Sequence, residues 1–304
     1  MNAINDTMVQ RDTYRRLVVR KRLILSALTL LLLGSVLLDL ALGPASYSLG
    51  EVLGALLSPD SAAPQVRVVM WDIRLPVALM AVAVGAALSL AGAQMQTILN
   101  NPLASPFTLG ISAAASFGAA MGLAFGVALF PLAAQYMVPA NAFIMAMLCA
   151  LLIHFLSLRR GVTAETIVLL GIALVFTFNA LLALVQFFAT EQAVAAVVFW
   201  TMGSLTKATW PKLGVICVVI LITLPIFARR TWALTALRLG DDKAASFGIN
   251  VRSLRFQTLI MVSLLAAFPV AFVGTIGFIG LVGPHIARML IGEDQRFFLP
   301  ASLL

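Results

Sequence analysis

The sequence is poor in charged residues and in cysteine. Asp, Glu, Lys and Arg together make up 11% of the chain, whereas soluble domains carry about 25%. Hydrophobic residues reach 62%, and the mean hydropathy is +1.04. This balance excludes an ordinary soluble domain and predicts an all-α integral membrane protein that crosses the lipid bilayer several times. Cys149 and Cys217 both lie inside apolar runs, where we expect small buried residues rather than a disulfide.

The groups that membrane enzymes and ion-coupled carriers need are also scarce. No His-Glu-x-x-His motif is present, and His154 and His285 are far apart in the sequence. No Gly-x-x-x-x-Gly-Lys-Ser/Thr loop occurs, so the chain is not expected to bind ATP in that manner. Asp39 is the only acid well inside an apolar segment, although ion-coupled carriers commonly place carboxylates in mid-membrane. We expect no catalytic, metal or cofactor site, and a conduit whose energy comes from elsewhere.

Apolar segments close to the ~20 residues of a spanning helix recur along the chain. They fall at roughly 23–42, 75–98, 107–130, 139–158, 166–189, 211–228 and 256–273. A shorter, interrupted eighth segment reaches about residue 291, and a ninth starts at Phe297. The sequence therefore predicts one transmembrane domain over 1–304, with about eight spanning helices and the start of another.

The basic residues flank these segments, so orientation in the membrane explains the net charge of +8 better than a nucleic-acid partner does. With residues 1–22 in the cytoplasm, 16 of the 20 Lys and Arg fall on the cytoplasmic side, as the positive-inside rule requires. The other four are Arg67, Arg74, Lys207 and Lys212. The first segment is too long for a signal peptide, and Ala41-Leu42-Gly43 is a poor cleavage site, so an uncleaved first helix is predicted.

Two outer segments have patterns of their own. Residues 48–57 predict a short amphipathic helix that begins at a Ser cap and lies on the outer surface. Residues 199–205 combine aromatic residues with glycine, which predicts an irregular segment at the membrane interface.

The segment 273–288 is apolar, yet it contains four glycines, a proline and a histidine. Glycine allows backbones to approach closely, and proline breaks regular helical bonding. Non-helical backbone at membrane depth persists only where protein covers it or where it lines a cavity. The segment is thus a predicted wall of a translocation path, and the residues concerned are Gly277, Gly280, Gly283, Pro284 and His285.

A second motif, Asn101-Pro102, closes the second span at its cytoplasmic end. It fits either a brace for movement of that span or a plain helix stop.

The largest cytoplasmic loop, 229–255, contains a short helical pattern. Two aspartates suit the start of a helix, small residues follow, and a glycine suits its C-terminal cap. The residues of this pattern are Gly240, Asp241, Asp242, Ala244, Ala245, Phe247 and Gly248. Such a helix fits a groove on a partner or is an ordinary surface helix, and the spacing alone leaves both open.

Three blocks in order, at 73–112, 240–248 and 277–296, resemble the FecCD-type permeases of binding-protein-dependent ABC importers. That family takes up ferric siderophores, haem and cobalamin, and the similarity extends from about residue 70 to the end. The resemblance implies a ten-helix type II importer permease in the bacterial inner membrane, which is a transport subunit and not an enzyme. It also implies three kinds of partner: a cytoplasmic ABC ATPase dimer, a second permease copy or paralogue, and a periplasmic substrate-binding protein.

The resemblance further implies roles for individual residues. The Gly240–Gly248 loop corresponds to the coupling helix that sits on the ATPase. Arg74 corresponds to an outer arginine that docks the binding protein, and Arg67 is a further docking candidate. The cytoplasmic gate corresponds to Thr163, Ala164 and Glu165. The chain departs from the family pattern at three positions, namely Val77 instead of a second arginine, Gln295 instead of a common histidine, and the charged Glu165.

The substrate implied by the resemblance is an iron chelate. The stretch 101–107 resembles ferric-siderophore members more than typical haem members. A haem or cobalamin permease is the alternative within the family. An ion-coupled carrier or drug exporter that works alone is the alternative from another class, and co-purification of an ATPase separates the two.

Overall fold

The computed structural model describes residues 2–43, 45–130, 134–157 and 163–304. These residues form α-helices joined by short 3₁₀ and π turns, and they contain no strand. In chain order the helices are α1 (Asn2–Ala41), α2 (Leu49–Leu57), α3 (Pro64–Val68), α4 (Leu75–Ile98), α5 (Ile111–Phe125), α6 (Ala134–Ser157), α7 (Ala164–Phe188), α8 (Glu191–Thr201), α9 (Trp210–Arg229), α10 (Thr231–Leu237), α11 (Asp241–Ser246), α12 (Val251–Val273), α13 (Ile279–Ile291) and α14 (Gln295–Leu303).

Six helices of the described part are long and apolar enough to cross a membrane. They are the spans built on α1, α4, α6, α7, α9 and α12, and the span of α4 includes α3 and the π turn between them. Two shorter apolar helices, α5 and α13, occupy the remaining predicted segments. The all-α membrane fold is thereby confirmed, and α14 begins close to the predicted ninth segment.

The predicted bounds differ from the structure at several places. Helix α1 begins at Asn2 rather than near residue 23, and the apolar span of α4 extends back to Pro64 rather than beginning at residue 75. The segment 107–130 contains only the 15-residue helix α5, because Gly110 and Gly126 adopt left-handed φ angles of +82° and +65° at its two ends. The irregular segment predicted for 199–205 is shorter in the structure, since α8 continues to Thr201 and non-helical backbone begins at residue 202. Helix α8 begins with an N-terminal cap, in which the Thr190 side chain accepts a hydrogen bond from Ala193 N. The Ser48 cap predicted for α2 is confirmed, and Glu51 completes a capping box.

The core is built around α4, which packs against α9, α12, α13 and α14. A second group forms where α5 packs against α6, α7 and α8. In the most apolar stretch of the α4 span, 72% of the residues are buried, whereas the corresponding shares are 6% in α1 and 17% in α7. Helices α1 and α7 therefore present most of their apolar surface outward, to lipid or to another chain.

Contacts at the two ends of the molecule join segments that the sequence places on the same side. At one end, Lys21 lies 5.0 Å from the ring centre of Phe297, and Arg238 pairs with Glu293. At the other end, Trp210 Nε1 donates to the carbonyl of Trp71 at 3.1 Å. These contacts agree with the predicted alternation of spans between the two sides of the membrane. The charge distribution, rather than the contacts, assigns the end with Lys21 and Arg238 to the cytoplasm.

Candidate functional site

The glycine-rich segment packs on α4 with its backbone in direct contact. A Cβ atom added to Gly92 of α4 would overlap the carbonyl oxygen of Gly280. A Cβ on Gly280 would lie 3.0 Å from the carbonyl oxygen of Leu88, and one on Gly283 would overlap the hydroxyl of Ser89. Gly92 therefore sets the separation of α4 and α13, because a side chain there has to move the two backbones apart, while Gly280 and Gly283 lie in tight contact with Leu88 and Ser89.

The other residues of the predicted wall are placed differently. Residues 274–278 are not helical, and Phe278 has a φ of +65° and is 74% exposed. Gly277 meets only the ring of Phe107, at 3.8 Å from an added Cβ. Pro284 is buried inside α13, whereas His285 is exposed. The structure thus brings Gly280 and Gly283 into helix packing and leaves His285 on the surface.

A cavity of about 620 Å³ lies between α1, α4, α13 and the end of α14. Gly85, Ser89 and Gly283 form part of its wall, and Asp39 lines its α1 side. The Ser89 hydroxyl is buried and makes no hydrogen bond within the described residues. The glycine contact of α4 and α13 therefore also borders this cavity, which is partly open to the outside.

At the predicted outer end, the turn after α8 is bound to the segment after α12. Ser204 N donates to the carbonyl of Val273 at 2.6 Å, and the Thr275 hydroxyl donates to the carbonyl of Thr201. Gly203 and Gly274 both have positive φ angles, and a Cβ on either would overlap backbone of the other segment. Gly203 is the glycine of the predicted outer segment 199–205, and its contact with Gly274 was not predicted, because the two residues lie in different segments of the chain.

The predicted loop helix forms as α11, with Gly240 before it at φ +100° and Gly248 after it at φ +79°. Neither aspartate caps it, since the residue at the cap position is Gly240. Instead, both carboxylate oxygens of Asp241 accept hydrogen bonds from Arg255, each at 2.8 Å. The first turn is thus held by an ion pair with α12.

The two alanines of α11 point to different places. Ala244 is completely buried and belongs to the main apolar core, whereas Ala245 is exposed. Phe247 is 54% exposed, with its ring 6.0 Å from that of Trp232. The small residues of α11 therefore do not all face a partner, and the exposed face carries Asp242, Ala245 and Phe247.

A buried polar cluster joins α4 to the start of α14. Gln94, Thr97 and Gln295 are all fully buried. Gln94 Nε2 donates to Gln295 Oε1 at 3.1 Å, and Gln295 Nε2 donates to Thr97 Oγ1 at 2.9 Å. The backbone N–H of Gln295 also donates to the Thr235 hydroxyl of α10 at 3.4 Å. The departure from histidine at Gln295 thus lies at a contact between three helices, and sequence reasoning did not predict that.

A charged cluster continues from this point toward α11. The Glu293 carboxylate accepts a hydrogen bond from Arg238, and it lies 3.1 Å from Arg288 Nε. Arg288 Nη2 in turn donates to Gln96 Oε1 of α4 at 2.7 Å. Since Arg238 and Arg288 are mostly buried, Glu293 is the acid that compensates both charges.

The two predicted docking arginines both have partners inside the chain. Arg74 donates to the carbonyl of Leu40 at 2.6 Å and to that of Ala45, and it lies over the ring of Tyr47. Arg67 pairs with Asp60 at 3.0 Å. Contact of either guanidinium with another protein requires its free face or an exchange of these partners.

The predicted gate lies at the start of α7. Thr163 caps that helix by accepting a bond from Thr166 N at 3.4 Å, and both Thr163 and Glu165 are exposed. The side chain of Ala164 lies outside the described part of the chain, as do residues 158–162.

Asn101 and Pro102 follow the end of α4 in a tight turn. The Asn101 side chain accepts a bond from Leu103 N at 2.9 Å. The predicted stop is confirmed, and a bracing role for it stays a prediction.

The helices and their packing match those of a known class of membrane protein. A solved metal-chelate type ABC transporter in an inward-facing conformation superimposes with a TM-score of 0.79 at 31% identity. The match covers 92% of this chain and 85% of that one. The fold is accordingly that of an ABC transporter permease.

The chain belongs to the FecCD transport family, whose model matches residues 30–304. It is 37% identical to an ABC transporter permease protein of Methanocaldococcus jannaschii over 95% of this chain and 84% of the relative. It is 32% identical to the molybdate import permease MolB of Haemophilus influenzae over 97% of this chain and 86% of the relative. It is 35% identical to the hemin transport permease HmuU of Yersinia pestis over 94% of this chain and 84% of the relative. The chain is thus a multi-pass permease subunit of an ABC importer.

Proposed function

We propose that this permease carries an iron chelate across the bacterial inner membrane, with the N-terminus in the cytoplasm. A ferric siderophore is the first candidate, and haem or cobalamin is the alternative. Relatives named for hemin and for molybdate, together with a metal-chelate transporter of the same fold, support a metal-containing substrate. Membership of an ABC importer family favours this function over the alternative of an ion-coupled carrier, which the sequence left open.

We propose that the energy enters through α11. The observation that carries this proposal is a helix fixed on one face and free on the other. Ala244 is buried in the core and Asp241 is paired with Arg255, while Asp242, Ala245 and Phe247 are exposed. A helix held in this way can transmit a push from a partner, because its anchored face cannot turn away from the load. The partner in this proposal is a separate, dimeric ABC ATPase, which hydrolyses the ATP.

Two further partners belong to the proposal. The outward apolar surface of α7, with Phe176, Phe187 and Phe188 among its exposed residues, suits a second permease copy or a paralogue. The outer arginines Arg67 and Arg74, with Lys207, suit a periplasmic binding protein that carries acidic residues. Burial and the neighbouring Lys212 lower the pKa of Lys207, and an approaching carboxylate would raise that pKa again.

Uptake by the complete transporter tests the substrate. The permease, its ATPase and its binding protein are reconstituted in vesicles and supplied with ⁵⁵Fe bound to catecholate, hydroxamate or citrate ligands. Parallel samples contain hemin, cobalamin or molybdate. We expect ATP-dependent uptake of at least one ferric siderophore, above a control without ATP. Uptake of molybdate alone would contradict the iron proposal, and uptake without the ATPase would contradict the energy source.

Cysteine cross-linking tests the contact with the ATPase. In a chain whose two cysteines have been replaced, Ala245→Cys is expected to cross-link to the ATPase, because residue 245 is exposed on α11. Ala244→Cys is the matched control, because residue 244 is buried and a cysteine there should react poorly with the cross-linker. The yield is read on denaturing gels. Equal yields at the two positions, or no product at 245 in a complex that hydrolyses ATP, would overturn the placement.

A further inference from the structure

Arg255 joins three helices through a single guanidinium group. It lies on the second turn of α12. Its Nη1 and Nη2 atoms donate to the two carboxylate oxygens of Asp241 on α11, each at 2.8 Å. Its Nε atom donates to the backbone carbonyl of Ile98 at 2.8 Å, and Ile98 is the last residue of α4. All three nitrogens are used, an arrangement that the single ammonium group of lysine cannot reproduce.

The partner on α4 is a carbonyl group that has no bond within its own helix. The last four carbonyls of an α-helix lack such partners, and a cation near that end also complements the helix dipole. Arg255 therefore satisfies the end of α4 and the start of α11 together. The bond joins residues 157 positions apart in the sequence.

We propose that Arg255 is a positioning residue that makes α11 and the end of α4 move as one body. The inference rests on the proposed function, in which α11 receives the push of the ATPase. A displacement of Asp241 passes through Arg255 to Ile98, and hence along α4 to Gly92, where α4 touches Gly280 of the glycine-rich wall. The coupling helix is thereby connected to the predicted path by direct contacts.

The residues that flank α11 explain why such a link is needed. Gly240 and Gly248 have positive φ angles at the two ends of this six-residue helix, and a Cβ at either position would meet nothing within 4 Å. Each turn is closed by a backbone hydrogen bond, from Gly240 N to the Leu237 carbonyl and from Gly248 N to the Ala245 carbonyl, but no neighbouring side chain packs over either glycine. Apolar contacts anchor the helix through the Ala244 methyl group and through the Phe247 ring against Trp232 of α10. The ion pair adds a directional contact to α12, which these apolar contacts do not provide.

The link is expected to matter more for coupling than for stability. The side chain of Asp241 is 51% exposed and that of Arg255 is 28% exposed. Exposed ion pairs contribute about 1 kcal/mol or less to the free energy of unfolding, and the bidentate geometry places this one toward the upper end of that range. Loss of the pair should therefore leave a folded permease whose α11 moves without carrying α4.

Distance measurements on the assembled transporter test this inference without knowledge of the substrate. Spin labels are placed at Ser246 on α11, at Leu103 just after α4, and at Leu57 on the outer helix α2, all of them exposed. In the wild type, the 246–103 distance should stay the same when ATP binds, while the 103–57 distance changes. In Arg255→Ala, the 246–103 distribution should broaden, and the ATP-dependent change of 103–57 should fall by roughly twofold or more.

Two further variants sharpen the result. Arg255→Lys should behave much as Arg255→Ala does, because lysine cannot bridge both partners. Lys243→Ala removes a charge from α11 outside the bridge, and it should leave both distances as in the wild type. Basal ATP hydrolysis is measured throughout to show that the complex is intact.

The outcomes separate the inference from the proposal on which it rests. Wild-type distances in Arg255→Ala, together with an intact cross-link from residue 245 to the ATPase, would overturn the role of Arg255 alone. Absence of that cross-link in the wild-type background would overturn the proposed contact. In that case the 246–103 distribution of the isolated permease still decides whether Arg255 fixes α11 to α4.

Discussion

Replacement of Gly92 by alanine is expected to destabilise the folded permease by about 3 kcal/mol or more, at the upper end of the range for overpacked cores. The added methyl group would overlap the carbonyl oxygen of Gly280, which is backbone and has no rotamer to change. Relief requires α4 and α13 to separate over the stretch where Gly283 also lies against Ser89. Transport should fall with the amount of correctly folded protein.

Gly85→Ala is the matched control for this prediction. Gly85 lies on the same helix two turns earlier, and a Cβ there would meet nothing within 4 Å. Since alanine favours a helix over glycine by about 1 kcal/mol, the control should be as stable as the wild type or more so. Apparent Tm in detergent and the monodisperse fraction on size exclusion are compared for the three proteins. Equal Tm values for Gly92→Ala and Gly85→Ala would show that the two helices are not in backbone contact.

Replacement of Gln295 by leucine is expected to cost about 3 kcal/mol, because it removes one group from a buried hydrogen-bonded set and leaves its partners unsatisfied. Gln94 Nε2 would lose its acceptor, and Thr97 Oγ1 would lose its donor, both at sites closed to water. The side-chain oxygen of Gln94 already lacks a hydrogen bond, so the variant would leave both polar atoms of this amide without a partner. The free energy of unfolding is followed by denaturant titration in detergent.

Gln257→Leu is the control that tests whether the expected loss of stability depends on the buried position of Gln295 or only on replacing a glutamine by leucine. Gln257 lies half-buried on α12, where its amide donates to the Ser253 hydroxyl at 3.0 Å. Water can reach that site, so the same substitution there should cost well under half as much. Gln295→His is expected to lose less than Gln295→Leu, since histidine retains a donor and an acceptor. A leucine variant as stable as the wild type would mean that the cluster contributes nothing.

Much of the membrane topology could be predicted from the sequence, because a spanning helix depends on length and apolar composition. The bounds predicted for the spans of α4, α9 and α12 lie within a few residues of the helices at one or both ends. Both ends of α11 could be predicted, because two aspartates are typical of a helix start and Gly248 is typical of a C-terminal cap. The short length of α5 was not predicted, since Gly110 and Gly126 are apolar by composition and act through their φ angles.

The roles of individual polar residues could not be predicted in the same way. Asp241 suits a helix start in the sequence, yet its carboxylate is bound to a residue 14 positions later. Arg74 suits an exposed docking group, yet it is held by carbonyl groups of residues 40 and 45. Gln94 carries no sequence signal at all, and its partner Gln295 lies 201 positions away. Such pairings depend on how the helices are arranged, and no local pattern encodes that arrangement.

The sequence by itself determined that this protein is a multi-pass helical membrane protein of a permease family, because hydropathy, basic flanks and motif order are local properties of the chain. Only the tertiary structure decided which glycines are packing contacts, which face of α11 is free, and that Arg255 connects α11 to α4. The physical reason is that each of these depends on two surfaces meeting at a distance of a few ångströms. The residues that form those surfaces are far apart along the chain.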